Sequence, residues 1–247
     1  DKWGIARCLH NQAYLYFYDP AERLDYLQRS LALSQEVGDL WSIASCLFTL
    51  GEEARTLGNF EAAEDYYENC LEIRRRIGDR QGQGIGLDYL GYLSREMGRY
   101  EKSRRLHQES LDVSEEIGDL LGVAGSLDNL GLVARDEGDL EEARRLFEEG
   151  LELRREISQG WETAISLEHL GLVHLELGQV ALAERLLRES LSIAQDSVWH
   201  YGTALALSGM GQVFTRQGKV DKARSHLAAA LSLGELMGNS VALQDIV

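Results

Sequence analysis

The stretch LGEEARTLGNFEAAEDYYENCL, Leu50 to Leu71, decides how the whole chain reads. An apolar-periodic run ends at Gly58-Asn59 and a second begins at Phe60, so the segment is two helices joined by a tight turn. The same frame recurs on both sides. Gly51, Gly91, Gly131, Gly171 and Gly211 stand forty residues apart. So do Gly58, Gly98, Gly138, Gly178 and Gly218, and so do Leu71, Leu111, Leu151, Leu191 and Leu231. Leu47, Leu87, Leu127, Leu167 and Leu207 keep the same step. Several columns held in register over five copies define a repeat protein, and a period of this size means stacked supersecondary units.

The expected organisation is six copies, at residues 1–38, 39–78, 79–118, 119–158, 159–198 and 199–238, with 239–247 opening a seventh that stops early. An end inside a repeat suggests a piece of a longer protein. The first copy aligns Trp3 with Trp41 and Cys8 with Cys46, two residues short around Pro20. Each copy reads as an antiparallel pair, helix A then helix B; in the second copy these run roughly Leu40–Leu57 and Phe60–Arg76. Gly38-Asp39, Gly78-Asp79 and Gly118-Asp119 mark the junctions between copies, the glycine ending one helix and the aspartate capping the next. Ser158-Gln159 and Val198-Trp199 replace that pair later in the chain and predict less regular junctions. The Gly51 column is expected where helix A meets helix B, opposite the small Ala63, Ser103, Ala143, Ala183 and Ala223 column. Tyr67, His107, Phe147, Leu187 and Leu227 are expected to fill space between repeats. Trp3, Trp41, Leu121, Trp161 and Tyr201 are expected to wedge each repeat on the one before.

Composition narrows the function. The chain has 247 residues, one proline and a formal charge of −16. Such an acid excess repels a phosphate backbone and offers no counterion release, which argues against nucleic acid. No polybasic cluster invites anionic lipid, and no apolar run reaches transmembrane length, so no membrane role is expected. Cys8, Cys46 and Cys70 form no CxxC pair and read as small core residues, free thiols of a reducing compartment. That points to the cytoplasm.

The run carried by Leu50, Gly51, Ala54, Gly58, Phe60, Ala63, Tyr67, Cys70 and Leu71 closely resembles the tetratricopeptide (TPR) pattern, whose usual repeat is about 34 residues. The additional residues here follow Leu71, and the family's usual proline at the end of helix B is absent. The resemblance implies an all-α solenoid, a right-handed superhelix of antiparallel helix pairs. Ser110 to Gly131 looks most like the longer repeats in the sensor arm of bacterial signal-transduction ATPases and activators of the MalT and AfsR kind. Pins-type adaptors and kinesin light chains are the second resemblance.

The TPR resemblance also implies that helix A lines a concave groove. Mapped onto this chain, it places Asp88, Asp128 and Glu168 in one acidic rung and Arg55, Arg95 and Arg135 in a basic one. Tyr89, Tyr92, Asn129 and His169 lie beside them. Arginine forks hold carboxylates or carbonyls, asparagine pairs with a peptide bond, and tyrosine supplies rigid contact area. The expected ligand is a protein or peptide, or another domain of the same full-length protein, with self-association through uncapped repeat ends also open. Plain intrahelical pairing gives the same spacing.

Catalysis is not expected. His10, His107, His169, His174, His200 and His226 form no HxxxH pair, and His107 and His174 read as packed side chains. There is no GxSxG, P-loop or GxGxxG motif, and Gln81–Gly86 sits in register as the start of a helix A. No cofactor or metal is expected.

Overall fold

The computed structural model describes residues 1–15, 20–157 and 160–236, with backbone alone for 14, 15 and 20. The expected stub at 239–247 lies outside them, as does Ser158-Gln159. Regular structure among the described residues is entirely helical: α1 (Lys2–Leu15), α2 (Pro20–Val37), α3 (Leu40–Thr56), α4 (Phe60–Arg76), α5 (Arg80–Glu96), α6 (Tyr100–Ile117), α7 (Leu120–Asp136), α8 (Leu140–Ile157), α9 (Trp161–Glu176), α10 (Val180–Asp196), α11 (His200–Arg216) and α12 (Val220–Leu236). The chain divides into two compact units, Asp1–Gly122 and Val123–Val247. In the first, α1 packs on α2, α3 on α4 and α5 on α6, while α2 also meets α3 and α4 meets α5. In the second, α9 packs on α10 and α11 on α12, with α8 against α9 and α10 against α11. Each hairpin therefore covers its apolar stripe with its own partner and with a neighbouring copy, as stacked repeats must.

The junction chemistry follows the sequence. Gly58 takes φ +75°, where a side chain would be strained, and lets Asn59 Oδ1 accept from the Ala62 amide at 3.3 Å. Asp39 caps α3 through Ser42, Asp79 caps α5 through Gly82, and Asp119 accepts from Gly122 N at 3.0 Å. Burial pushes Asp79 up, but the Gly82 amide and Arg74 outweigh it and hold its carboxyl below the ordinary range. At the irregular Val198-Trp199 junction, Val198 itself adopts φ 53°. A β-branched residue there is strained.

The glycine column explains the closeness of each pair. A Cβ on Gly51 would stand 2.5 Å from the Tyr67 ring, on Gly91 2.6 Å from His107, and on Gly131 2.7 Å from Phe147. Gly171 meets Leu187 and Gly211 meets Leu227 in the same way, at 2.8 and 2.6 Å. These large residues thus plug the contact within a hairpin, helix B into helix A, rather than only the space between copies. Tyr67, His107, Phe147 and Leu187 are all buried.

Two expectations differ from the structure. Trp3, Trp41, Leu121 and Trp161 are exposed, Trp41 to 55%. They occupy the first turn of helix A on its solvent side, and the tryptophan rings lean on neighbours at the surface instead of wedging. The Trp161 and Trp199 ring centres are 5.3 Å apart, and the Arg74 guanidinium lies 5.8 Å from the Trp41 ring. Cys8 is also exposed, whereas Cys46 and Cys70 are buried and all three are free. Cys46 is covered by Ser30 of α2, 3.2 Å away.

Candidate partner-binding face

In the unit Asp1–Gly122, α3 and α5 bring together Arg55, Asp88, Tyr89, Tyr92 and Arg95, all half-buried. Tyr89 sets its edge against Phe48, ring centres 4.6 Å apart at 79°, with Tyr67 beneath at 5.8 Å. Arg55 stacks over Tyr92 at 5.1 Å and pairs with Glu52 at 3.3 Å and with Glu96 of α5 at 3.3 Å. The buried Tyr67 hydroxyl donates to Glu52. Burial, and then the Glu52 charge, push that phenol far above its ordinary range. Burial alone would lower Arg55, but Glu52 and Glu96 hold its guanidinium charged. A polar chain thus runs from the hairpin core, Tyr67, through Glu52 and Arg55, to Glu96 at the surface. Asp88 accepts from His107 Nδ1 at 2.8 Å, which anchors the carboxylate from below. Arg95 lies on the same stripe of α5, one turn from Tyr92.

The unit Val123–Val247 holds Asp128, Asn129 and Arg135 on α7, with Glu168 and His169 on α9. Arg135 Nε donates to Glu176 of α9 at 2.7 Å, repeating the Arg55–Glu96 rung. His169 tilts against the Phe147 ring at 5.2 Å, with Nε2 3.6 Å from the Glu168 carboxylate. Asn129 is half-buried, and Glu168 is buried. Asp128 is only 3% exposed and turns inward. It takes an ion pair from Arg154 of α8, and Ser166 of α9 donates to it at 3.0 Å while itself accepting from Arg154. Burial raises the Asp128 carboxyl above its ordinary range, and Arg154 and Ser166 pull against that rise. The acidic rung is therefore not one surface feature: Asp88 is half-buried in the first unit, and Asp128 is buried where α7, α8 and α9 meet in the second.

The partners Arg154, Glu96, Glu176 and His107 were not among the expected face residues. Their signals were present. Arg154 stands in a column otherwise held by Ser34, Arg74, Ser114, Ala194 and Gly234, and two large cations among small residues invite a buried acid. Glu96 and Glu176 follow their arginines by forty-one residues, one repeat and one step. Among the described residues no group of His, Cys, Asp or Glu is placed to hold a metal ion, and no helix is long and apolar enough to cross a membrane.

Residues 19–76, 85–156 and 162–235 match the family model described as tetratricopeptide repeat. The chain belongs to the tetratricopeptide-repeat family. No curated protein matches it. Among solved structures, this TPR chain is similar to BtubC (BKLC) from P. vanneervenii at 20% identity, over 96% of this chain and 91% of that one, with a TM-score of 0.61. It is similar to a signal-transduction ATPase with a TPR sensor from Pyrococcus horikoshii at 20% identity, over 99% of this chain but 38% of that one, TM-score 0.73. A Rap protein complexed with Competence and Sporulation Factor aligns at 16% identity, over 99% and 77%, TM-score 0.72. At these identities the likeness is one of fold.

Proposed function

We propose that this TPR chain is a non-catalytic scaffold in the cytoplasm that binds a protein or peptide segment along its helix A faces, as the sensor or regulatory arm of a larger bacterial signal-transduction protein. The observation that carries this reading is the recurring rung from one helix A to the next, Arg55 to Glu96 and Arg135 to Glu176. Each arginine is half-buried and paired, and Arg55 is flanked by the contact area of Tyr92. A ligand carboxylate or carbonyl that takes the arginine fork displaces the glutamate, so binding alters the bond between neighbouring repeats. That is how occupancy becomes a change that an attached domain can feel. Similarity to an ATPase with a TPR sensor supports the regulatory assignment, and similarity to a Rap protein complexed with Competence and Sporulation Factor supports a peptide-class ligand.

A constitutive adaptor is the second reading, favoured by the same rungs if they stay closed and keep the face rigid. Pull-down with the wild-type chain and with Arg55→Glu, Arg95→Glu, Arg135→Glu combined tests binding; the variant keeps its helical circular dichroism and loses its partner. Equal capture by both would sink the groove assignment. Hydrogen exchange of α3 and α5 with partner bound separates the readings: altered protection supports the sensor, unchanged protection the adaptor.

A further inference from the structure

The Asp1–Gly122 unit holds a cavity of about 230 Å³ that the face described above does not include, lined by Arg7, His10, Asn11, Ser30, Trp41 and Ser42. Its charge is unusual for this molecule. Arg7 has no ion-pair partner among the described residues, although most arginines nearby do. Its guanidinium is instead held by stacking at 4.7 Å over Trp3, whose indole Nε1 donates to Asp39 at 2.8 Å. Trp3 thus fixes where Arg7 sits without neutralising it. The floor hydroxyls are already committed, Ser30 to the Ala6 carbonyl at 2.7 Å and Ser42 to Asp39 at 2.6 Å. His10 stands 3.2 Å from Thr49 Oγ1, and burial lowers its pKa, so it brings no second positive charge at neutral pH. The exposed Trp41 ring provides an apolar wall.

We propose that this cavity binds a small organic monocarboxylate, with Arg7 taking the carboxylate and Trp41 covering an apolar or aromatic body. One arginine in a chain of charge −16 matches a single negative charge and disfavours dianions such as phosphate monoesters. The volume lies below that of drug-sized ligand sites and suits a molecule of about ten heavy atoms rather than an extended peptide. The two residues that carry the inference, Arg7 and Trp41, lie outside the groove columns, although His10 and Asn11 stand in those of Asp88 and Tyr89.

The test follows the indole N–H signal of Trp41, assigned with Trp41→Phe, in nitrogen-15 spectra during titration. The probes are 3-phenylpropanoate, 3-phenylpropanamide, and a blocked pentapeptide ending in phenylalanine with a free or amidated C-terminus. We expect a saturable shift with 3-phenylpropanoate, weakened at least about tenfold in the amide or in Arg7→Gln, the loss of one charge-assisted pair. Trp41→Ala should weaken binding in calorimetry, and the groove variant carrying Arg55→Glu, Arg95→Glu and Arg135→Glu should bind as wild type. A free-carboxylate pentapeptide binding more tightly than the small acid assigns the same chemistry to a polypeptide C-terminus. Equal binding of acid and amide, an unaffected Arg7→Gln, or no saturable shift up to about 10 mM overturns the proposal.

Discussion

Replacing Arg154 with methionine isolates the buried charge that joins α7, α8 and α9. In the native protein Asp128 and Arg154 are 3% and 7% exposed, and Ser166 completes the set. Methionine fills much of the arginine's volume but leaves the carboxylate with one hydroxyl donor. Removing one partner of a buried pair costs about 3–5 kcal/mol, because the other charge stays desolvated. That cost has an upper bound set by protonation, since a carboxylate left without its partner takes up a proton once desolvation costs more than neutralising it. The sign follows. In the variant the folded-state pKa lies above the unfolded value near about 3.9, so the folded state binds the proton more tightly. Stability is then lost as pH rises through the window between those two values, and regained as pH falls. Urea unfolding of wild type and Arg154→Met at several pH values between about 5 and 7 reads this directly. Adding Asp128→Leu to Arg154→Met removes the orphaned charge and should recover most of the loss. A penalty below about 1 kcal/mol, or one that does not shrink toward pH 5, would refute the account of this triad.

Two further substitutions test the packing. Gly131→Ala forces a methyl against the fully buried Phe147 ring, and overpacking of about 1–3 kcal/mol should outweigh the helix-propensity gain of about 1 kcal/mol. Gly125→Ala, on the same helix with open space at its Cβ, should keep that gain; thermal melts of the pair should move in opposite directions. Val198→Gly relieves a left-handed backbone at a 71% exposed position and should stabilise by about 1 kcal/mol in urea unfolding, with no change proving the junction unstrained.

The period of forty residues made the helix pairs, turns and caps legible, because Gly58, Asp39 and Asp79 act through local backbone geometry that a short stretch encodes. Burial of a given column was less legible. Trp41 occupies a regular position, but whether a position is covered depends on the side chains that the neighbouring helices bring to it. Asp128 shows the same limit at the candidate face. It shares its column with Asp88, yet Arg154, twenty-six residues on, draws it inward while His107 holds Asp88 at the edge. Charge rungs could be counted from one helix, but their fate was decided by partners on two others.

The plugs that seat helix B against the glycine of helix A also act as addresses. A chain of similar repeats risks pairing a helix B with the wrong helix A while it folds. The buried Tyr67 hydroxyl finds its acceptor in Glu52, and the corresponding residues of later copies are Tyr92, Leu132, Leu172 and Gln212. His107 finds Asp88, where the second copy offers Phe48. Tyr67 mispaired with a later helix A, or His107 with that of the second copy, would therefore bury a polar tip with no carboxylate to meet it, at about 1–3 kcal/mol for each unmet group. Repeats alike enough to stack are in this way different enough to fold in order.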